Sequence, residues 1–139
     1  MPFSNAYGNA LAAFQFNGVA IPATYTGTNL YLGLHLADPG VAGTQATSEI
    51  SYTGYLRMPL VRNTTGQWTV SGKVIQNAIS VTFPAMTGGV GGTVTHMSVG
   101  ELASGAGTIL YSGPLSTPLV VAVAGQPYFP ANSITITLN

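Results

Sequence analysis

Apolar residues near the start of the chain follow a helical period. Between residues 4 and 16 they recur every three or four positions, at Tyr7, Ala10, Leu11 and Phe14. This spacing places them on one face of a helix. Ser4 is a residue type that caps helix starts, and Asn17-Gly18 is suited to end one. The pattern therefore predicts a short N-terminal helix over Ser4–Phe16.

From residue 28 onward the period changes from about 3.6 to 2, which indicates β-strands. The clearest strand has leucines at positions 30, 32, 34 and 36, alternating with Tyr31, Gly33 and His35. We expect the leucines to face a core and His35 to lie on the opposite, exposed or interfacial face. Asp38-Pro39-Gly40 then supplies turn chemistry. Ser133–Asn139 shows the same alternation and predicts a half-buried strand.

Short β-rich runs bounded by Gly, Pro and Asn fill the rest of the chain. Pro59 marks its run as an edge strand or a bulge, because proline cannot donate to a ladder. With roughly eight or nine strands and no alternation with helices, the pattern predicts an antiparallel β-sandwich or jelly-roll-like barrel with a short N-terminal helix. We expect one domain over 1–139, with the helix or arm in 1–18 and the sandwich in 28–139. The runs are Tyr55–Val61, Gln67–Val70, Lys73–Gln76, Ile79–Phe83, Thr93–Leu102, Ile109–Gly113 and Leu119–Val123.

Charge is very scarce in this chain. Only 4% of its 139 residues are charged, three acids and three bases, against roughly 25% in ordinary globular proteins. A protein with so few charged residues is poorly suited to stay in solution as an isolated monomer. Three dispersed bases cannot form a nucleic-acid footprint, and no run approaches the ~20 apolar residues of a membrane span. We therefore expect neither nucleic acid nor membrane as a partner.

Few residues could carry chemistry, and each has a simpler structural interpretation. His35 and Asp38 lie three positions apart at a strand end, and His96 lies in a second strand. A zinc site needs three or four ligands, and the chain has no cysteine. Gly88–Gly92 lacks the residues of a phosphate-binding loop. We therefore expect no enzyme activity, and we assign no catalytic, cofactor-binding or metal-binding residues and no cofactor.

Aromatic residues are the more promising binding elements. Trp68 and the seven tyrosines favour core and interface anchors, with a sugar-binding face as the alternative. The few charges, among them Glu49, Glu101 and Lys73, are either solvated or engaged in specific pairs between subunits. The candidate interface residues are Phe3, Tyr7, Phe14, Arg57, Arg62 and Trp68.

Several segments, in this order, resemble a family of small virion proteins of tailed bacteriophages. The resemblance covers nearly the whole chain. The N-terminus has no basic region, so we expect synthesis in the host cytoplasm followed by assembly into the virion. The segments are Phe3-Ser4-Asn5-Ala6-Tyr7, Leu30–Gly40, Gly54-Tyr55-Leu56-Arg57, Asn77–Pro84, Gly92–His96 and Ile134–Leu138.

The resemblance implies a structural role in the virion and carries no catalytic residues to transfer. The leading hypothesis is a capsid cement, or decoration, protein that binds between major capsid proteins and stabilises the icosahedral shell. Its partners would be the major capsid protein and further copies of itself, as a homodimer or homotrimer. The alternative is a tail-fibre or receptor-binding component that recognises host surface glycans. That alternative predicts a concave aromatic site that includes Trp68.

Overall fold

A computed structural model of the chain describes the backbone of residues 1–139 and every side chain except those of residues 24 and 26. One α-helix is followed by a single turn of 3-10 helix and then by short β-strands. The order is α1 (Asn5–Asn17), the 3-10 turn (Ala23–Thr26), β1 (Asn29–His35), β2 (Met58–Val61), β3 (Trp68–Ser71), β4 (Val74–Asn77), β5 (Val81–Thr82), β6 (Gly92–Gly100), β7 (Ile109–Val121), β8 (Tyr128–Phe129) and β9 (Thr135–Thr137).

The strands form three antiparallel sheets, which confirms the predicted mainly β fold. The largest has the order β2-β1-β6-β7, the second has the order β3-β4-β9, and β5 pairs with β8. Pro59 lies in β2 at the edge of the large sheet, as its missing N–H requires. Apolar side chains from all three sheets, such as Leu34, Ile136 and Val81, meet in one buried cluster.

The strand with alternating leucines was predicted correctly, except for the burial of Leu36 and the exposure of His35. Leu32 and Leu34 are fully buried, whereas Leu36 lies beyond the end of β1 and is exposed. His35 is also fully buried, so the expectation of an exposed or interfacial imidazole was wrong. The chain around Thr47 and Glu49 covers that face of β1, and His35 and Glu49 form an isolated β-bridge.

Two predicted strands, Ile109–Gly113 and Leu119–Val123, are one strand in the structure, β7. Its register against β6 jumps, because His96 pairs with Pro114 while Val94 pairs with Leu119. Four residues of β7 therefore lie opposite Thr95 alone, which is a large bulge. Proline at both ends of this bulge removes backbone donors, so the ladder is interrupted there and resumes on either side. The sequence pattern did not indicate β8.

Helix α1 has the predicted caps at both ends. The Ser4 Oγ accepts a hydrogen bond from the Tyr7 N–H, 3.2 Å away. Gly18 ends the helix in the left-handed conformation, with φ of 66°, which glycine adopts without steric cost. No residue of α1 is buried, and Phe16 is 84% exposed. Among the described residues, no helix has the length and apolarity that a membrane-spanning segment needs.

Candidate functional site

A concave pocket lies where the start of α1 meets the large sheet and the β3-β4 hairpin. We call it the aromatic pocket. Its volume is about 330 Å³, within the range of about 300–1,000 Å³ that is typical of ligand sites. It is lined by Tyr7, Leu30, Arg62, Asn63, Trp68, Val70, Ile75, Val99, Tyr111 and Ile136.

Trp68 supplies the most telling feature of this pocket. It is the first residue of β3, an edge strand that pairs with β4. In that pairing Trp68 lies opposite Asn77. Its indole Nε1 is buried and has no hydrogen-bond partner among the described residues. An unpaired buried donor costs about 1–3 kcal/mol. Because that nitrogen is closed to solvent, Trp68 contributes its ring, rather than its N–H, to the lining of the pocket.

Two tyrosines form a second aromatic wall. The rings of Tyr7 and Tyr111 meet edge to face, with centroids 5.5 Å apart. Phe3 and Tyr25 extend this cluster through edge contacts with Tyr7 at 6.5 and 5.6 Å. Burial, reinforced by the Tyr7 hydroxyl, raises the pKa of Tyr111 well above its ordinary value. The Tyr111 phenol therefore stays neutral and offers the pocket a ring face and a hydroxyl.

Arg62 and Asn63 bring polar groups to the pocket from the loop after β2. The Arg62 backbone N–H donates to the Thr28 carbonyl at 2.8 Å, and Asn63 Oδ1 accepts from the Thr65 N–H at 3.0 Å. The Arg62 side chain is exposed and donates one long hydrogen bond, 3.4 Å, to the Gly27 carbonyl. It forms no salt bridge within the described part of the chain.

A larger hollow of about 560 Å³ lies between β7 and β9. Met1, Leu115 and Phe129 are among its lining residues, and none of its lining side chains is charged. The aromatic pocket differs from this hollow because it has several aromatic residues and the charged side chain of Arg62. We therefore take the aromatic pocket as the candidate site.

Buried polar residues form a separate cluster around His35. His35 Nδ1 lies 2.8 Å from the Thr47 carbonyl oxygen, which can only accept, so this nitrogen carries the proton. Ser98 Oγ, 2.7 Å from Nε2, therefore donates to the imidazole. Burial lowers the pKa of His35, which favours this neutral form. A serine and a histidine at this distance could act as nucleophile and base, but both are fully buried, so a substrate cannot reach them.

Beside this cluster lies a buried ion pair. Arg57 binds Glu49 through two hydrogen bonds of 2.7 Å, one from Nε and one from Nη2. The guanidinium also donates to the carbonyls of Leu102 and Gly105, at 3.0 and 2.7 Å. The Tyr55 hydroxyl donates to Glu49 at 2.9 Å. Burial raises the pKa of Tyr55 well above its ordinary value. The pair therefore fastens loop 102–105 to the large sheet.

The predicted interface residues fall into three places. Tyr7, Arg62 and Trp68 come together in the aromatic pocket, while Phe3 and Phe14 are exposed at 45% and 53%. Arg57 is buried inside the chain, so we leave it out of the proposed interface.

The two residues that suggested a pair at the end of the first strand are not brought together. His35 contacts Thr47 and Ser98, whereas Asp38 accepts a hydrogen bond from the Gly40 N–H at 2.8 Å. His35 does lie opposite His96 in the ladder. Among the described residues, no group of three or more potential metal ligands is placed to hold an ion.

Sequence reasoning missed two partnerships that the structure shows. One is the Glu49–Arg57 pair, which was considered only as an exposed or intersubunit contact. Tyr55 and Arg57 are two positions apart and share a face in an extended chain, and that spacing was the available signal. The other is Tyr111 in the pocket wall, for which the local sequence offered no signal, because its neighbours there come from distant segments.

A mainly β architecture with very few charged residues is consistent with a structural class of protein. The model of one protein family, described as Podophage GP4 fiber I protein gp80, matches residues 2–137. The chain belongs to this family of phage virion structural proteins. A comparison with curated proteins found no match.

Proposed function

We propose that the chain is a fibre component that attaches the phage to its host by binding a surface glycan in the aromatic pocket. The observation that carries the proposal is a concave site of about 330 Å³ that is lined by Trp68, Tyr7 and Tyr111. The family description, which names a fibre protein, supports this role over capsid cement. The role needs binding alone, and we assign no catalytic step to it.

The chemistry of the pocket suits a sugar ring. Sugar rings combine apolar C–H faces with hydroxyl groups at their edges. Aromatic side chains supply contact area for the former, while the tyrosine hydroxyls can bond to the latter. Trp68, Tyr7 and Tyr111 provide these groups within one site.

Adsorption of the purified, fluorescently labelled protein to host cells tests this function. We expect binding to wild-type cells, and loss of binding after periodate oxidation of the cell-surface glycans. Trp68→Ala should abolish adsorption, because it removes a large aromatic ring from the lining of the pocket. Tyr128→Ala is the matched control, since Tyr128 is an exposed aromatic residue that does not line the pocket. Unchanged adsorption of the Trp68 variant would rule out the proposal.

A capsid cement role is the second candidate, favoured by the charge-poor surface and its exposed apolar side chains. Many copies bound to one shell would then stabilise the assembled state by mass action. The number of copies per particle separates the roles. Quantitative gel analysis of purified virions should show few copies for a fibre and hundreds for a cement protein.

We also propose that α1 contacts another copy of this chain, as a homodimer or homotrimer. The helix has no buried residue and no charged residue, yet it exposes Phe14 and Phe16. Short isolated helices are marginal in water, so a cover over this face would stabilise the helix. A second copy fits because its own helix is equally uncharged and brings no charge that would be left unpaired.

A further inference from the structure

We propose that the aromatic pocket selects sugars that carry a carboxylate, such as uronic or sialic acids. This inference rests on the proposed glycan-binding function and names the class of ligand. It follows from the charge and hydrogen-bonding character of the side chains that line the pocket.

The pocket offers donors and one positive charge, with no acid to oppose them. Arg62 can only donate, and the Asn63 amide and the tyrosine hydroxyls can donate as well. No carboxylate lines the pocket. In the described part of the chain the salt-bridged carboxylate is Glu49, which binds Arg57 instead. An acceptor-rich, anionic ligand is therefore the electrostatic complement of this site.

Placement of the groups indicates how such a ligand would lie. Trp68 lines the pocket and is half-buried, whereas the Arg62 side chain is exposed. A sugar ring between Trp68 and the tyrosines would contact their rings and place its hydroxyl groups near the tyrosine hydroxyls. Its carboxylate would then meet the guanidinium, a group that binds carboxylates through two parallel hydrogen bonds.

The single tryptophan makes a direct test possible, because the protein has one indole N–H signal. We would titrate the ¹⁵N-labelled full chain with methyl glucuronide, methyl galacturonide and methyl N-acetylneuraminide. Methyl glucoside and methyl galactoside are the neutral counterparts. We expect the Trp68 indole signal to shift with the acidic sugars, and at least one of them to bind about tenfold tighter than its neutral counterpart.

Variants assign the selectivity to its source. Arg62→Gln should remove the preference for acidic sugars, while Arg62→Lys should keep only part of it, because lysine lacks the fork of donors. Lys73→Gln is the matched control, since it removes the same charge from the exposed β3-β4 turn, outside the pocket. Ligand-observed NMR on Trp68→Phe should show weaker binding of acidic and neutral sugars alike.

The outcomes separate this inference from the function on which it rests. Equal binding of acidic and neutral sugars, or a preference that survives Arg62→Gln, would overturn the selectivity and leave glycan binding intact. An indole signal that moves with none of the sugars would also overturn the inference. Adsorption to host cells would then decide the proposed function independently.

Discussion

Ionised residues are so rare in this chain that the location of each one matters. The structure places Glu49 and Arg57 together in the interior rather than on the surface. Removing two charges from water is costly, and direct attraction alone seldom repays it. Here the extra hydrogen bonds to Tyr55 and to two loop carbonyls satisfy the remaining donors and acceptors. The pair therefore defines where loop 102–105 lies.

Arg57→Ala should destabilise the protein by about 3 kcal/mol, because it leaves the Glu49 carboxylate, whose side chain is only 15% exposed, without its partner. Urea unfolding measures the effect. Arg62→Ala is the control: its side chain is exposed and unpaired by salt bridges, so we expect a loss within about 0.5 kcal/mol. Equal losses for the two variants would show that the buried pair is not structurally important.

His35 makes stability depend on pH. Burial lowers its pKa below the ordinary value of 6.5, so below pH 6.5 the unfolded chain takes up a proton that the folded chain does not. Stability should therefore fall as the pH drops from about 6.5 towards the folded pKa, and this group contributes no slope above 6.5. Urea midpoints measured between pH 8 and 5 test this. The slope should be smaller in His35→Gln, and an identical slope would exclude His35 as its source.

At the level of elements, local chemistry sets where α1 begins and ends, and tertiary contacts set where the strands do. Ser4 and Gly18 bound the helix as predicted. Strand limits were less predictable, because pairing depends on partners that are distant in sequence. Pro114 and Pro118 look like strand breakers, yet β7 continues past both. Each half of β7 pairs with β6 in its own register, and the bulge between the halves accommodates the missing backbone N–H groups of the prolines.

Ser4 joins α1 to the sheet as well as capping it. Its Oγ accepts from the Tyr7 N–H and donates to the Ile109 carbonyl, and its backbone N–H donates to the Leu110 carbonyl. Ser4→Ala should lower helix content and cost about 1 kcal/mol. Far-UV circular dichroism and urea unfolding provide the measurements. Ser80→Ala, at an exposed site, should change neither quantity; matching effects at the two sites would contradict the capping role.

The whole molecule combines a well-packed interior with a surface that is unusually apolar and uncharged. Phe14, Phe16, Val90 and Val120 are all exposed large apolar residues. Few ionised groups surround them to keep the protein apart from its neighbours. This surface is the physical reason to expect assembly with further copies of the chain.

The double variant Phe14→Ser, Phe16→Ser should weaken self-association, because it removes the exposed apolar face of α1. Sedimentation velocity at several concentrations measures the oligomeric state. Val90→Ser is the control, because Val90 is 82% exposed but lies in a loop far along the chain from α1. An oligomer that survives the helix variant, or a wild-type protein that is monomeric throughout, would contradict the proposed contact.

The sequence by itself determined the mainly β class, the capped helix and the resemblance to virion proteins. These depend on local spacing, turn chemistry and segment order, which a single chain displays directly. Only the tertiary structure decided that His35 is buried, that Arg57 pairs with Glu49, and that Trp68 shares a pocket with Arg62 and Tyr111. These contacts depend on how loops and strands pack against one another, whether the residues are a few positions apart, like Glu49 and Arg57, or distant, like Trp68 and Tyr111. The sequence alone offered a concave aromatic site that includes Trp68 as an alternative, and the fold supplies the other residues that line it.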